Sequence, residues 1–300
     1  MTSTNAPGLT PRLRSLLFAP AVKPELAARL PERGADAIVI DCEDATPAAA
    51  KTQGRANARA LAPQLAAAGC NVMVRVNSPT TEWFADDVAG GLAPEVLAVV
   101  VPKVDTVAGL DEVSRALDEA GFATLGIFAG IETALGVADA RPLLAHPRVV
   151  AAYFGAEDFI ADMGGVRTTS NAEVATARSL VALAGRLAGV PTLDQVVTDF
   201  RNDDRFVAEC AEARALGYAG KLCLHPGQVA LANVAFAPTT DEIGRARRLL
   251  TAYEDASAAG VAAIDFEGQM VDEPLAAQAR RVLASAVDTT PDTMPDPDGA

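Results

Sequence analysis

Charged side chains fall just past the ends of short apolar runs throughout this chain. Asp41, Glu43 and Asp44 follow ADAIVI, Arg75 lies at the end of NVMVRV, and Lys103 follows LAVVV. Glu132 follows TLGIFAGI, Glu157 and Asp158 follow VVAAYF, and Asp194 closes the run around Val190. Carboxylates gathered on one rim suit a hard cation such as Mg²⁺, which takes oxygen ligands and keeps several waters. Glu132 and Asp158 are the candidate pair, because the ends of adjacent strands lie ~4.8 Å apart. The same two acids would also suit the first turns of helices. Soft donors are scarce. The only histidines are His146 and His225, so a histidine-based zinc centre is not expected. His146, before Pro147, reads as structural; His225 suits either a ligand contact or a rim role. An arginine at a strand end can stabilise developing negative charge or close an internal salt bridge. Lys103 reads equally as a rim ion pair or a ligand contact, and Asp194 as structural. Glu157, beside Asp158 on an extended backbone, is expected to face the other way.

The elements that must position these groups alternate. The apolar runs are 5–8 residues long, as buried parallel strands are. Strands are predicted at 15–18, 37–40, 72–76, 97–101, 125–131, 149–154, 192–197 and 221–224. Helices are predicted at 48–67, 107–120, 172–188, 205–216 and from Pro226 to Phe236, with further helical stretches after Pro24 and before His146. Eight strands with intervening helices predict a (β/α)8 TIM barrel whose active site lies at the carboxyl ends of the strands. An open dinucleotide-binding sheet would carry a glycine fingerprint after the first strand; here that position reads APAVKP. The expected organisation is a flexible arm at 1–11, a catalytic barrel at 12–240, a C-terminal helical extension at 241–287 and a disordered tail at 288–300. The extension is expected to be too small for its own core, to pack on a barrel and to carry a turn-rich segment, IDFEGQMVDEP, with Gly268–Pro274 as a lid.

Composition narrows the partners. Half of the 300 residues are apolar and the formal charge is −14, which argues against nucleic-acid binding through a broad basic face. The cysteines Cys42, Cys70, Cys210 and Cys223 show no pairing pattern, as for reduced thiols in a cytoplasmic protein. Neither a signal peptide nor a membrane span is expected.

Several blocks, in order, resemble one family: RSLLFAPA, DAIVIDCEDATPAAAKTQGR, VMVRVN, VVVPKVD, GIFAGIETALGV, YFGAEDFIADMGG, KLCLHPGQV and FEGQMVDEP. From Leu13 to Ala286 the chain is similar to the citrate lyase β-subunit-like family. That family belongs to the Mg²⁺-dependent aldolase/lyase barrels, with malyl-CoA and citramalyl-CoA lyases. The resemblance implies a homotrimer or hexamer acting on an α-keto acid and a coenzyme A thioester, with Mg²⁺ or Mn²⁺. It implies Glu132 and Asp158 as metal ligands, with Glu132 also meeting the substrate. It implies Arg75 at the reacting carbonyl, Glu43 and Asp44 as a catalytic acidic pair, and Lys51 and Arg55 as basic substrate contacts. Asp272 is implied as the catalytic acid/base delivered from a neighbouring subunit. Where relatives can carry lysines near the coenzyme phosphates, this chain has Glu25 and Arg29. Ala45-Thr46 and Phe18 also depart from the common pattern. A β-hydroxyacyl-CoA lyase is the leading expectation. The alternatives are a citrate lyase β subunit acting on citryl-acyl carrier protein, a malyl-CoA thioesterase, and a non-catalytic keto-acid-binding subunit.

Overall fold

The computed structural model describes residues 12–287; the arm at 1–11 and the tail at 288–300 lie outside the described residues. Eight parallel strands close a barrel in sequence order: β1 (Ser15–Pro20), β2 (Ala37–Asp41), β3 (Val72–Arg75), β4 (Ala98–Val101), β5 (Gly126–Ile131), β6 (Val149–Phe154), β7 (Thr192–Asp194) and β8 (Gly220–Cys223). Closure is made by Leu16, which pairs with Ala37 on one side and Leu222 on the other. The fold is the expected (β/α)8 barrel. Its strands are unbroken apolar runs because both faces are buried. Alternate residues from all eight strands, among them Leu16, Val39, Met73, Val100, Phe128 and Leu222, fill the barrel interior. Their neighbours, such as Leu17, Ile38, Val74 and Val99, pack outward in the larger core with the helices.

The helices Lys51–Ala67, Val107–Glu119, Ala175–Ala188, Asp203–Leu216 and Pro226–Ala235 follow the apolar periodicity of the sequence. Four short helices depart from expectation. Phe84–Gly91 forms a helix between β3 and β4, the segment after β5 divides into Ala134–Ala138 and Ala140–Leu144, and Ala156–Met163 starts a helix two residues past β6. Each is eight residues or fewer, too short for a helical period to register in a window of ~11–18 residues.

Behind β7 and β8 lies a buried ionic cluster. Lys221 Nζ is 2.6 Å from Asp194 and 3.3 Å from Glu209, and Arg178 holds Asp194 through two hydrogen bonds of 3.0 Å. Asp194 is thus structural. Lys221 and Asp194 are fully buried. Lys221→Met is expected to cost ~3–5 kcal/mol, because two carboxylates lose a buried partner. Thermal and urea unfolding measure this; a loss below ~1 kcal/mol would mean that Arg178 and Arg205 suffice.

Residues 237–287 form a second compact unit. The helix Thr240–Ala258 begins with a capping box in which Thr239 and Glu242 satisfy each other's amides. The expected turn-rich segment is instead a hairpin of β9 (Ile264–Phe266) and β10 (Gln269–Val271). Glu267 and Gly268 form its two-residue turn, with φ of 53° and 77°, as a hairpin-compatible turn requires. The last helix is Glu273–Val287. The expectation that this extension lacks a core is corrected: Leu249, Leu250, Tyr253, Val271, Ala276 and Ala279 form an apolar cluster of their own. Two helices and a hairpin supply three facing apolar surfaces, which one isolated helix could not.

The four cysteines are free thiols. Among the described residues no helix is long and apolar enough to cross a membrane.

Candidate active site

The carboxyl ends of the strands surround a cavity of about 460 Å³ whose lining includes Asp41, Arg75, Glu132, Tyr153 and Asp158. Its first wall is a lock between β2 and β3. Asp41 and Arg75 are register partners on adjacent strands. The guanidinium meets the carboxylate as a two-pronged fork, Nε at 2.7 Å and Nη2 at 2.6 Å. Asp41 also accepts the amides of Glu43 and Ala45, shaping the loop that follows. Burial opposes ionisation of Asp41, but the Arg75 charge and these hydrogen bonds hold its pKa below the ordinary value. Arg75 lies 5.1 Å from the Phe18 ring. Its Nη1 is 3.1 Å from Glu43 Oε2, an oxygen that is buried without a properly oriented hydrogen bond.

The second wall gathers carboxylates around one ammonium. Lys103 Nζ lies 2.7 Å from Glu43 Oε1 and 3.3 Å from Asp158 Oδ1. The Lys103 amide and the Tyr153 hydroxyl both donate to Glu132 Oε1, at 2.9 and 3.1 Å. Burial, together with the charge of Asp158, pushes the Glu132 carboxyl up to about 7. Two glycines make room for it. A Cβ at residue 155 would collide with the Glu132 carboxylate, and one at residue 130 with the Tyr153 hydroxyl.

The backbone under Asp158 differs from expectation. Gly155 ends the extended run, so Glu157 and Asp158 occupy the first turn of the helix Ala156–Met163, where its dipole favours acids. On a helix adjacent residues are not forced to opposite faces, and both acids line the cavity. Glu157 pairs with Arg167 at 2.9 Å. Asp44 also lines the cavity and is exposed.

Other anticipated contacts go elsewhere. Lys51 is buried, donates to the carbonyls of Cys42 and Glu43, and stands 5.1 Å from the Trp83 ring. Arg55 pairs with Asp86 and Asp87. Both brace the loop and helix behind Glu43 and do not line the cavity. Arg29 lines a second cavity of about 430 Å³ with Arg33 and His225. His225 caps the helix Pro226–Ala235 and stacks on Phe200. Phe18, Pro20 and Leu224 line both cavities, so the two adjoin. In the second unit, Asp272 begins the last helix by accepting the amides of Leu275 and Ala276 on its carbonyl. Its carboxylate Oδ1 is buried without a partner. Tyr153 received no role from sequence reasoning. Its only signal is a hydroxyl in an otherwise apolar strand, which must find a partner when buried.

The donor set fits a hard divalent cation. The cavity offers carboxylate oxygens and neither sulfur nor imidazole, the preference of Mg²⁺. Among the described residues no three His, Cys, Asp or Glu side chains form a complete metal cage. Glu132 and Asp158 would therefore share the ion with water and ligand oxygens. A pH effect follows. Glu132 is protonated in both folded and unfolded states well below pH 4.5, and ionised in both well above 7. Between those limits the folded state binds the extra proton, so metal-free stability falls as pH rises through this window. Mg²⁺ held by Glu132 would offset that loss, and its stabilising shift in Tm is expected to grow from pH 5 to pH 8. Thermal melts with Mg²⁺ or EDTA measure it; a pH-independent shift would remove Glu132 from the ion's ligands.

A (β/α)8 barrel with a carboxylate-rich mouth and a half-buried arginine defines an enzyme-like class, and comparison with known proteins places it. The HpcH/HpaI aldolase/citrate lyase family model matches residues 14–226, and the chain belongs to that family. It is 49% identical to a citrate lyase subunit beta-like protein of Deinococcus radiodurans, over 91% of this chain and 96% of that one. It is 31% identical to a (3S)-malyl-CoA thioesterase of Cereibacter sphaeroides, over 91% and 94%. The protein CitE of Mycobacterium tuberculosis, solved in complex with magnesium, acetoacetate and coenzyme A, superposes with a TM-score of 0.77. The identity is 29%, and the match covers 95% of this chain and 100% of that one.

Proposed function

We propose that this protein is a Mg²⁺-dependent carbon–carbon lyase. It would cleave or form a β-hydroxyacyl-CoA thioester such as malyl-CoA or citramalyl-CoA, with an α-keto acid and an acyl-CoA as the other pair. One observation carries the reading: the carboxylate-and-arginine cavity adjoins a second cavity bearing Arg29 and Arg33. A short acid at the first site and a phosphate-bearing carrier along the second match such a thioester in shape and charge. The complex of the CitE relative with magnesium, acetoacetate and coenzyme A supports the same pairing.

Glu132 and Asp158 would hold Mg²⁺, or Mn²⁺ in its place, and the ion supplies Lewis-acid polarisation of ligand oxygens. The chain's own groups do the rest. Arg75 spends two donors on Asp41 and sets Nη1 3.1 Å from Glu43; its remaining N–H groups would meet a carboxylate or enolate oxygen of the ligand. In the cleavage direction the substrate hydroxyl loses its proton to a mouth carboxylate. Asp44 faces the cavity for this, with Glu43 behind it. The carbon–carbon bond breaks, its electron pair passes to the thioester as an enolate, and the hydroxyl carbon becomes the carbonyl of the α-keto acid. An acid then protonates the enolate carbon. Asp272, with a buried and unpartnered carboxylate oxygen, is assigned that proton and would deliver it within a homotrimer or hexamer.

Purified protein, Mg²⁺ and a panel of malyl-, methylmalyl- and citramalyl-CoA test the reading. Keto acid and acyl-CoA in equal amounts are the expected products. A second reading, thioester hydrolysis, follows from the Cereibacter sphaeroides relative and would release free CoA without keto acid. Activity only with a carrier-protein thioester would mark a citrate lyase β subunit. Binding of keto acid without turnover would mark a non-catalytic subunit. For Asp272, the Asp272→Ala and Glu132→Ala variants are each expected to be inactive, yet to regain activity when co-assembled. No recovery in mixed oligomers verified by mass spectrometry would confine the site to one chain or remove Asp272 from the chemistry.

A further inference from the structure

We propose that Lys103 is a resident counter-cation, holding the carboxylate site together until a divalent ion displaces its ammonium. The inference rests on the Mg²⁺ reading above and adds how the site is kept ready. Three acids converge on this one residue. Its ammonium contacts Glu43 and Asp158, and its amide holds Glu132. An ammonium and a divalent cation answer the same charge imbalance, so they compete for one place.

Two features make the exchange feasible. The first is a pinned backbone beneath a partly exposed side chain. Lys103 adopts φ of 54°, a conformation that non-glycine residues hold only when their surroundings impose it. Its amide is fixed to Glu132, and the next amide, of Val104, to the carbonyl of Gly130. The side chain remains 31% exposed. The second is a destination. Lys103 also lines a separate cavity of about 300 Å³, whose walls carry Asp105 and Glu112. Swinging from the carboxylate cluster toward that cavity exchanges one set of acids for another. Glu132 keeps its amide throughout, so the ligand geometry survives the change.

Calorimetric titration with Mg²⁺ alone, at pH 8 on the full-length protein, tests the exchange. Lys103→Met and Lys103→Gln are expected to bind Mg²⁺ about tenfold more tightly or better, with a lower metal-free Tm, because the competitor is gone. Lys103→Arg keeps the charge and should not tighten binding. The Asp105→Asn/Glu112→Gln double variant should weaken it severalfold, having lost the acceptor for the displaced ammonium. The unmodified protein gives an independent readout. Amine acetylation followed by mass spectrometry should show Lys103 labelling rise on adding Mg²⁺. Neutral variants that bind Mg²⁺ no more tightly than the unmodified protein, or Mg²⁺ that protects Lys103 from labelling, would overturn the proposal while leaving the metal site intact. An unmodified protein that binds no Mg²⁺ would remove the Mg²⁺ reading and this proposal together.

Discussion

Arg75→Lys is expected to lower kcat/KM with a CoA thioester substrate by ~10²–10³, the range seen when one transition-state donor is lost. The change preserves charge and loses geometry. The guanidinium grips both oxygens of the Asp41 carboxylate, with donors at 2.7 and 2.6 Å. It still has another nitrogen, 3.1 Å from Glu43. A lysine ammonium is a point charge with no planar fork, so it can keep Asp41 or meet the ligand but cannot repeat both contacts. Asp41 also anchors the amides of Glu43 and Ala45, so a poorly held Asp41 loosens the acidic loop as well. Kinetics and thermal melts on the same samples separate the effects. Unchanged kcat/KM with a lowered Tm would make Arg75 a purely structural salt bridge.

Glu132→Gln should move stability and function in opposite directions. The glutamine is the same size, and its carbonyl oxygen can still accept the Lys103 amide and the Tyr153 hydroxyl. What disappears is a buried charge that the fold disfavours, as the carboxyl pushed up to about 7 shows. At pH 8 in EDTA the variant is expected to gain on the order of 2 kcal/mol. The same change removes an anionic ligand from the proposed ion, so Mg²⁺ binding and turnover should both be lost. Asp158→Asn should also lose both. It should show no comparable gain in stability, because Asp158 is 35% exposed and solvent already screens it. Retained Mg²⁺-dependent turnover in Glu132→Gln would sink the metal assignment; lowered stability without metal would sink the claim of a disfavoured charge.

The barrel was legible for a specific reason. A strand buried on both faces must be apolar throughout, so β2, β5 and β6 stand out as AIVID, GIFAGI and VVAAYF without reference to distant residues. A chain of such runs separated by amphipathic helices has few closed solutions. Because active-site groups collect at one end of each strand, Glu132 and Arg75 could be singled out by position alone. Short elements were less visible. The hairpin at Ile264–Val271 and the helix Ala156–Met163 lack the length for a period to emerge. The self-contained core of the extension depends on apolar surfaces far apart in sequence, Leu249 and Ala276 among them.

By itself, the sequence determined the strand order, the closed barrel, the hard-donor character of the mouth and the family to which the chain belongs. Each of these depends on residue type and local spacing. Only the tertiary structure decided the pairings within the mouth. Asp41 and Arg75 are 34 residues apart and meet because parallel register sets them side by side. Lys103 and Glu43 are 60 apart and meet because the barrel curves. Lys51 and Arg55 carry the right charge for a ligand, yet their helix turns them toward the loop and its neighbouring acids. Charge is a property of the residue, whereas whether that charge faces ligand, solvent or another side chain is set by the path of the whole chain.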